Sequence, residues 1–244
     1  LLHQFKLLMP ANWLRNIISQ DWNEFLNKII KAEGKGILIQ ESTNSFGTDP
    51  DLYFRTKHPI IASALINIIE PNHERQYKLF EKMFHSIDLG TSGSYLINNL
   101  LKTLVRSEYF SESKIDKLHD YAYSKLSDDP HFLLNYAINL QKRKTKRTLK
   151  KALEILIYAE SLLLRRNHRF IHRRAVINYE LAKLLFREKD DTFGYPSIYL
   201  NEAKELFNVK QLMDPFSPYS YIDFIKLLIW EMKNYAFSEE EEIS

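Results

Sequence analysis

The sequence predicts a mainly α-helical protein, with a small module of helices and strands at the start and helical repeats behind it. Segments of helical periodicity fill most of the 244 residues, and only 6 glycines and 8 prolines interrupt them. Short β-branched and aromatic runs occur only between residues 36 and 56. Two later helix pairs share a pattern of small and large residues, which is typical of stacked repeats.

The front module, residues 1–70, has the element order of a winged helix. Pro10 opens the segment "PANWLRNIIS", which suits a first helical turn, and residues 21–36 follow with apolar residues at helical spacing. The runs "GILIQE" and "LYFRT" flank a loop dense in turn-forming residues, so they predict a β-hairpin. Two helices followed by a hairpin are parts of a winged helix, and residues 1–7 are a candidate for its trimmed first helix.

Behind this module, residues 71–237 carry no β signal. Apolar residues at helical spacing predict helices at residues 73–87, 94–110, 111–127, 130–142, 147–165, 168–189, 197–212 and 217–235. Residues 238–244, with four consecutive glutamates, are predicted to be a solvated acidic tail.

Two of the later helices share the spacing of their small residues. A spacing of four and then three residues recurs 51 residues apart, in the triplets Ala152, Leu156, Ala159 and Ala203, Phe207, Lys210. This resembles the tetratricopeptide repeat, in which small residues let two antiparallel helices approach closely and a proline ends the second helix. Pro215 fits that proline, whereas Lys210 takes the place of a small residue. The resemblance implies an α-helical, tetratricopeptide-like solenoid of stacked helix pairs.

The composition of the chain excludes several classes of function. The chain has no cysteine, which excludes disulfides, thiolate catalysis and cysteine-ligated zinc and is compatible with the expected cytoplasmic location. A net charge of +3 is too small to indicate nucleic-acid binding by itself. No apolar run has the length of a membrane span, and the start lacks a signal-peptide pattern. The first residue is Leu1 rather than methionine, so we expect a piece of a longer protein.

The segment "YFRTKHPIIA" places Arg55, Lys57 and His58 where an extended run passes into an apolar helix. Arginine holds a phosphate through a bidentate fork, and histidine through a single hydrogen bond. Basic groups at a helix start are disfavoured by the helix dipole, so a nearby anion would relieve them. The alternative is that Arg55 and His58 pair with Asp49 or Asp51 and brace the hairpin.

This phrase, between a predicted winged helix and helical repeats, resembles the region after the nucleotide-binding domain of signal-transduction ATPases with numerous domains, the STAND NTPases. Bacterial members of that superfamily and some animal relatives carry an aromatic-Arg-Thr-Arg/Lys-His phrase at the end of the wing. In the superfamily a winged-helix histidine commonly contacts the phosphates of bound ADP. The resemblance implies that His58 senses nucleotide and that Arg55 contacts a phosphate or a neighbouring domain. Lys57 and Pro59 depart from the Met-His-Asp triplet of the best-known form.

By the same resemblance, ATP or ADP belongs to a missing upstream domain, and this fragment holds no cofactor of its own. The repeats are expected to bind a protein partner or ligand, and the winged helix to relay that event to the ATPase domain. The implied setting is bacterial signalling, cell death or phage defence. Two other classes stay open: a free-standing tetratricopeptide-like adaptor, and a winged-helix DNA-binding regulator.

Catalytic and metal-binding motifs are missing from the sequence. It has no GxxxxGK(S/T), no HExxH and no nucleophile elbow, so we expect no catalysis by this fragment alone. His168 and His172 are four residues apart and suit one helix face. No acidic ligand lies near them in the sequence, so no metal site is predicted. Residues 21–34, the predicted DNA-reading helix, carry charges that nearly cancel, which disfavours duplex binding.

Two basic clusters stand out in the repeats. The first basic cluster, residues 142–151, includes Lys142, Arg143, Lys144, Lys146 and Arg147. The second basic cluster, residues 165–174, includes Arg165, Arg166, Arg169, Arg173 and Arg174. They flank one predicted helix and are expected at its opposite ends, about 25 Å apart. Both are candidates for contact with an acidic protein or nucleic acid, the alternative being solvated loops and helix ends.

Overall fold

The computed structural model describes residues 9–10, 21–25, 27, 38–43, 51–87, 91–107, 109–189 and 196–235. Over these residues the protein is mainly α-helical, as predicted. The chain divides into two compact units, unit 1 of residues 1–125 and unit 2 of residues 126–244. The sequence places its module boundary near residue 70 instead. The helices between residues 73 and 125, which it groups with the repeats, belong to unit 1.

Unit 1 begins with a three-stranded sheet in the order β1–β3–β2. The strands are β1 (Met9–Pro10), β2 (Leu38–Thr43) and β3 (Asp51–Thr56). β2 and β3 pair antiparallel, with Leu38 opposite Thr56 and Thr43 opposite Asp51. They fall close to the two runs predicted as strands, and the loop of residues 44–50 between them lies outside the described residues.

The prediction that Pro10 opens a helix is wrong. Pro10 lies in β1, with its Cα opposite that of Tyr53. Proline has no backbone N–H to donate to a ladder, and β1 is an edge strand of this sheet, where that loss is tolerated. The rest of the helix predicted for residues 10–19, and the possible helix at residues 1–7, lie outside the described residues.

The helices of unit 1 are α1 (Trp22–Phe25), α2 (Pro59–Ile69), α3 (His73–His85), α4 (Thr91–Ser107) and α5 (Glu112–Leu126). Asp21 caps α1, because its carboxylate accepts hydrogen bonds from the backbone N–H groups of Asn23 and Glu24. The core holds the fully buried rings of Phe80 and Phe84. The ring of Phe80 lies 5.3 Å from that of Phe110, so the connection between α4 and α5 packs over α3.

Unit 2 has helices α6 (Pro130–Lys142), α7 (Lys146–Ser161), α8 (His168–Glu188), α9 (Pro196–Met213) and α10 (Pro218–Tyr235). Their bounds lie close to the predicted ones because local capping residues set them. The side chains of Asp129, Thr145 and Asn167 accept hydrogen bonds from backbone N–H groups in the first turns of α6, α7 and α8. None of the described helices combines the length and apolarity needed to cross a bilayer.

Consecutive helices of unit 2 pack as pairs, α6 against α7 and α8 against α9, with α7 also touching α8. The small residues singled out in the sequence lie in these contacts, since Ala152, Ala159 and Ala203 are all fully buried. Without side chains beyond Cβ they let helix backbones approach closely. The core between α8, α9 and α10 is built on Ala182, Phe207 and other buried apolar residues.

Candidate functional site

The first candidate site is the junction between β3 and α2. His58 is the N-cap of α2, with an extended backbone and Pro59 in the first turn behind it. Its Nδ1 accepts a hydrogen bond of 3.2 Å from the backbone N–H of Ile60. Accepting through Nδ1 requires that the proton of the neutral imidazole sits on Nε2. The histidine therefore has a structural task, which is to satisfy an N–H group at the helix start.

The structure describes less of the other two basic residues at this junction. Arg55 lies in β3 with its Cα opposite Ile39, and only its backbone is described. Lys57 is exposed in the bend that joins β3 to α2. The alternative in which Asp49 or Asp51 braces these cations involves side chains outside the described part of the chain.

The two basic clusters lie at opposite ends of α7, as the sequence indicates. The first spans the end of α6, the turn and the start of α7, and the second spans the turn before α8 and its first two turns. The 16 residues of α7 correspond to about 24 Å at 1.5 Å per residue. Exposed members are Lys142, Lys144, Arg147, Arg165, Arg166 and Arg169, while Arg143 and Lys146 are half-buried.

Two arginines of the second cluster are tied to neighbouring helices. Arg174 donates through Nη1 to Glu160 of α7 at 2.9 Å and through Nη2 to Glu202 of α9 at 2.7 Å. Arg173 donates to the side-chain oxygen of Gln141 in α6 at 2.7 Å, and burial lowers the pKa of its guanidinium. A side chain with five donors can bridge several helices in this way. These two arginines join α6, α7 and α9 to α8, and their guanidinium groups are turned inward.

The expectation that no acidic group accompanies His168 and His172 is wrong. His168 Nδ1 lies 3.2 Å from an oxygen of Asp214, and His172 Nε2 lies 3.4 Å from an oxygen of Asp223. Both carboxylates follow much later in the chain, so only the packing of α9 and α10 against α8 brings them close. The described residues nevertheless contain no group of three or more such side chains arranged to hold a metal ion.

The same region explains how Lys210, which departs from the repeat pattern, can be buried with its charge. Its side chain is 4% exposed, and its Nζ donates to Asp214 at 2.6 Å. That hydrogen bond lowers the pKa of the Asp214 carboxyl. A buried ammonium needs such a partner, because desolvation would otherwise favour its neutral form. The lysine thus fills a small-residue position while its charge is compensated one turn later.

The second candidate site is an open cleft of about 460 Å³ in unit 2, beside the first basic cluster. Its lining includes the cations Lys144, Lys183 and Arg187, the carboxylate Glu180, and the rings of Phe186 and Trp230. The two rings meet edge to face, with centroids 5.4 Å apart. We call this surface the cationic cleft.

The cationic cleft carries more positive than negative charge. Burial raises the pKa of the Glu180 carboxyl, and this effect is opposed by a hydrogen bond from Gln141 and by the charges of Lys144, Arg173 and Lys183. Positive groups attract carboxylates, and the aromatic rings beside them pack against apolar side chains. The arrangement is therefore suited to binding an acidic segment that carries an apolar or aromatic residue.

Most residues of the cationic cleft were missed in the sequence, where only Lys144 was a candidate. Glu180, Lys183 and Arg187 recur at helical spacing on α8, which was a detectable signal of one shared face. Trp230 comes from α10, 43 residues after Arg187, so no local pattern links the two.

Comparisons of the chain with protein-family models, with curated proteins and with solved structures found no match.

Proposed function

We propose that unit 2 is a partner-binding module and that the chain is the regulatory part of a signal-transduction ATPase with numerous domains. In this proposal the helix pairs bind a protein partner. The β3–α2 junction, as part of a winged helix, relays that event to a nucleotide-binding domain elsewhere in the protein. The observation that carries the proposal is the cationic cleft, which opens on helix pairs packed through buried alanines.

The helix pairs support a binding role because of how such pairs are stabilised. A pair cannot bury its apolar face alone, so pairs stack into solenoids whose elongated surfaces suit extended ligands. The contacts of α6 with α7, α7 with α8, and α8 with α9 follow this nearest-neighbour scheme. A tetratricopeptide-like solenoid is the reading of unit 2 that accounts best for these contacts and for the buried alanines.

The chemistry of the partner follows from the lining of the cleft. Lys144, Lys183 and Arg187 favour carboxylates, while Phe186 and Trp230 offer apolar surface for an anchor side chain. We therefore propose an acidic protein segment with at least one aromatic or large aliphatic residue. The affinity of such a contact is expected to fall as salt concentration rises.

Peptide selection tests the partner-binding proposal. A displayed peptide library selected on the chain should yield acidic sequences that carry an aromatic residue. Lys183→Glu with Arg187→Glu should weaken the selected peptides at least about tenfold, which corresponds to about 1.4 kcal/mol. Arg165→Glu with Arg166→Glu, an equal change of charge at the far end of α7, serves as the matched control. Equal loss of affinity in both double variants would contradict the proposed site.

The relay half of the proposal depends on His58. As the N-cap of α2, this residue couples the conformation of the helix start to whatever its imidazole contacts. In a nucleotide-bound protein, a phosphate held by Nε2–H would stabilise the capped form of α2. Release of that phosphate would then change the start of the helix, which is how a local contact becomes a conformational signal.

Two experiments test the relay in order. The gene is first read upstream of Leu1, where a P-loop followed by an acidic metal-binding strand is expected. ADP release is then measured in the full-length protein with His58→Ala and with His58→Asn. Asparagine keeps an N-cap acceptor but lacks Nε2, so faster release in both variants supports phosphate sensing. Release that is faster only in His58→Ala would show that capping alone matters.

A free-standing adaptor is the second candidate function, and the hydrogen bond from Ile60 to His58 favours it. If capping α2 is the whole task of His58, the resemblance to the nucleotide-sensing phrase needs no nucleotide. An upstream start codon without a P-loop domain would establish this alternative. The cationic cleft would then be the functional surface of the protein.

A further inference from the structure

The end of helix α10 forms part of the wall of the cationic cleft. Trp230 and Asn234 line the cleft, and Tyr235 is the last residue of α10. The chain therefore leaves α10 one residue after Asn234. The sequence that follows is covalently attached at the edge of the cleft.

This following sequence is acidic and contains an aromatic residue. Phe237 precedes four consecutive glutamates, residues 239–242. We call residues 236–244 the acidic segment, and it includes the residues that the sequence predicts to be a solvated tail. The acidic segment has the composition of the partner proposed for the cleft, namely carboxylates together with an apolar anchor side chain.

The charges of the cleft complement those of the acidic segment. Among the described residues that line the cleft, Lys144, Lys183 and Arg187 are cations and Glu180 is the one carboxylate. The three cations are exposed, whereas Glu180 is half-buried and burial raises the pKa of its carboxyl. The lining thus keeps an excess of positive charge that added carboxylates can offset.

We propose that the acidic segment binds in the cationic cleft of its own chain, where it competes with the acidic protein partner. The inference rests on the partner-binding function proposed for the cleft, and it adds the regulation of that site. Without a partner the glutamates of the segment meet the cations of the cleft. The partner binds by displacing the segment, so its apparent affinity is set by how often the cleft is open.

The covalent attachment makes a weakly binding segment an effective competitor. Glu239 is five residues after Asn234, and an extended chain covers about 17 Å over that distance. A ligand on a short tether has an effective concentration on the order of 1 mM. With a Kd on the order of 0.1 mM for the free segment, the cleft is open about a tenth of the time and the partner loses about tenfold in affinity.

Competition with a synthetic peptide tests this proposal. The probe is a fluorescein-labelled peptide of residues 236–244 with blocked ends, and its binding to the chain is measured by fluorescence anisotropy. A quadruple variant carries Glu239→Gln, Glu240→Gln, Glu241→Gln and Glu242→Gln. The probe should bind this variant at least about fivefold more tightly than the wild-type chain, because the cleft is then no longer occupied. Adding Lys183→Glu with Arg187→Glu should abolish that binding.

A matched control separates competition from a change of net charge. Exposed carboxylates that do not line the cleft are neutralised instead, in Glu112→Gln, Asp120→Asn, Glu154→Gln and Glu205→Gln. Equal binding of the probe by the wild-type chain and the quadruple variant overturns the proposal, as does an equal gain in the control. Either result still leaves the partner-binding function standing if selected acidic peptides depend on Lys183 and Arg187. Selected peptides that do not depend on these cations contradict that function instead.

Disulfide trapping tests the contact without a probe. The chain has no cysteine, so a pair of introduced thiols can form one intramolecular disulfide, which needs Cα atoms within about 7 Å. Lys183→Cys is combined in turn with Glu239→Cys, Glu240→Cys, Glu241→Cys and Glu242→Cys. At least one pair should oxidise faster than the same thiol paired with Lys233→Cys, an exposed position closer in sequence that does not line the cleft. Faster trapping at residue 233 in all four cases overturns the proposal.

Discussion

The two basic clusters of unit 2 have similar composition, but their cations lie in different surroundings. In the first, Lys144 lines the cationic cleft beside Lys183 and Arg187 from α8. In the second, Arg173 and Arg174 are turned inward, where they hold Gln141, Glu160 and Glu202. The difference is made by acceptors on other helices. A run of cations predicts a binding surface only where the cations outnumber the carboxylates that the fold brings to them, as in the cationic cleft.

The composition of a cluster does not by itself show which of its cations face solvent. Arg165, Arg166 and Arg169 of the second cluster stay exposed, within the same ten residues as the two inward arginines. Arg165 and Arg166 lie in the turn before α8 and Arg169 is exposed in its first turn, whereas Arg173 and Arg174 reach acceptors on α6, α7 and α9. Four predictions, from the largest expected effect to the smallest, test this division between cations that hold helices together and cations that face solvent.

Loss of an inward arginine is expected to have the largest effect. Arg174→Ala leaves Glu160 and Glu202 without their shared partner, and we expect the free energy of unfolding to fall by about 2 kcal/mol. The value stays below that for a fully buried pair, because the arginine side chain is 20% exposed. Urea denaturation measures it, with Arg147→Ala in the first cluster as a control that should change stability by less than about 0.5 kcal/mol. Equal losses in the two variants would remove the distinction.

A glycine at residue 144 is expected to stabilise the protein by about 0.5 kcal/mol. Lys144 has a φ of 50°, a left-handed backbone that glycine adopts without the clash of a Cβ atom. Lys142→Gly, at the helical end of α6, should instead lower stability by about 1 kcal/mol. Both follow from urea denaturation. A gain in stability together with weaker binding of acidic peptides would show that the cation is kept there for the cationic cleft.

Histidine 172 is expected to make stability depend on pH. Burial lowers its pKa below the ordinary value of 6.5, although Asp223 opposes the shift. The folded state then binds a proton more weakly than the unfolded state, so this part of the stability is complete above pH 6.5 and declines as pH falls below it. Urea denaturation at pH 7.5 and 5.5 should show a smaller loss in His172→Gln than in the wild type. A larger loss in the variant would reverse the assigned direction.

Removal of the exposed arginines is expected to have the smallest effect. The triple variant Arg165→Gln, Arg166→Gln, Arg169→Gln should change the free energy of unfolding by less than about 0.5 kcal/mol, since exposed charges contribute little. Thermal unfolding monitored by circular dichroism measures this. A loss comparable to that of Arg174→Ala would mean that these residues also hold helices together.

The helices of both units could be read from local sequence because local interactions set their limits. Asp129, Thr145 and Asn167 each cap a helix with their own side chain, and the apolar spacing behind them needs no distant partner to be recognised. The prediction for Pro10 was wrong because it used local sequence only. Its fixed φ suits a helix start and an edge strand alike, and only its pairing with Tyr53 decides between them.

The candidate sites were predictable only where one segment carries them. His58 could be selected as a candidate because strand, cap and helix are consecutive in the chain, and its sensing role stays a prediction. The acidic partners of His168 and His172 were missed, because Asp214 and Asp223 follow at least 42 residues after His172. The residues of the cationic cleft also come from separate helices, so no spacing rule joins them.

The sequence alone determined the helical class, the limits of most described helices, and the alanine positions where helices meet. These depend on periodicity, capping and side-chain size, all of which act over a few residues. Tertiary structure decided which cations face solvent, which carboxylates they meet and which side of α10 stays exposed. Charge pairing and burial depend on distances between helices that are far apart in the chain, and these distances exist only once the helices have packed.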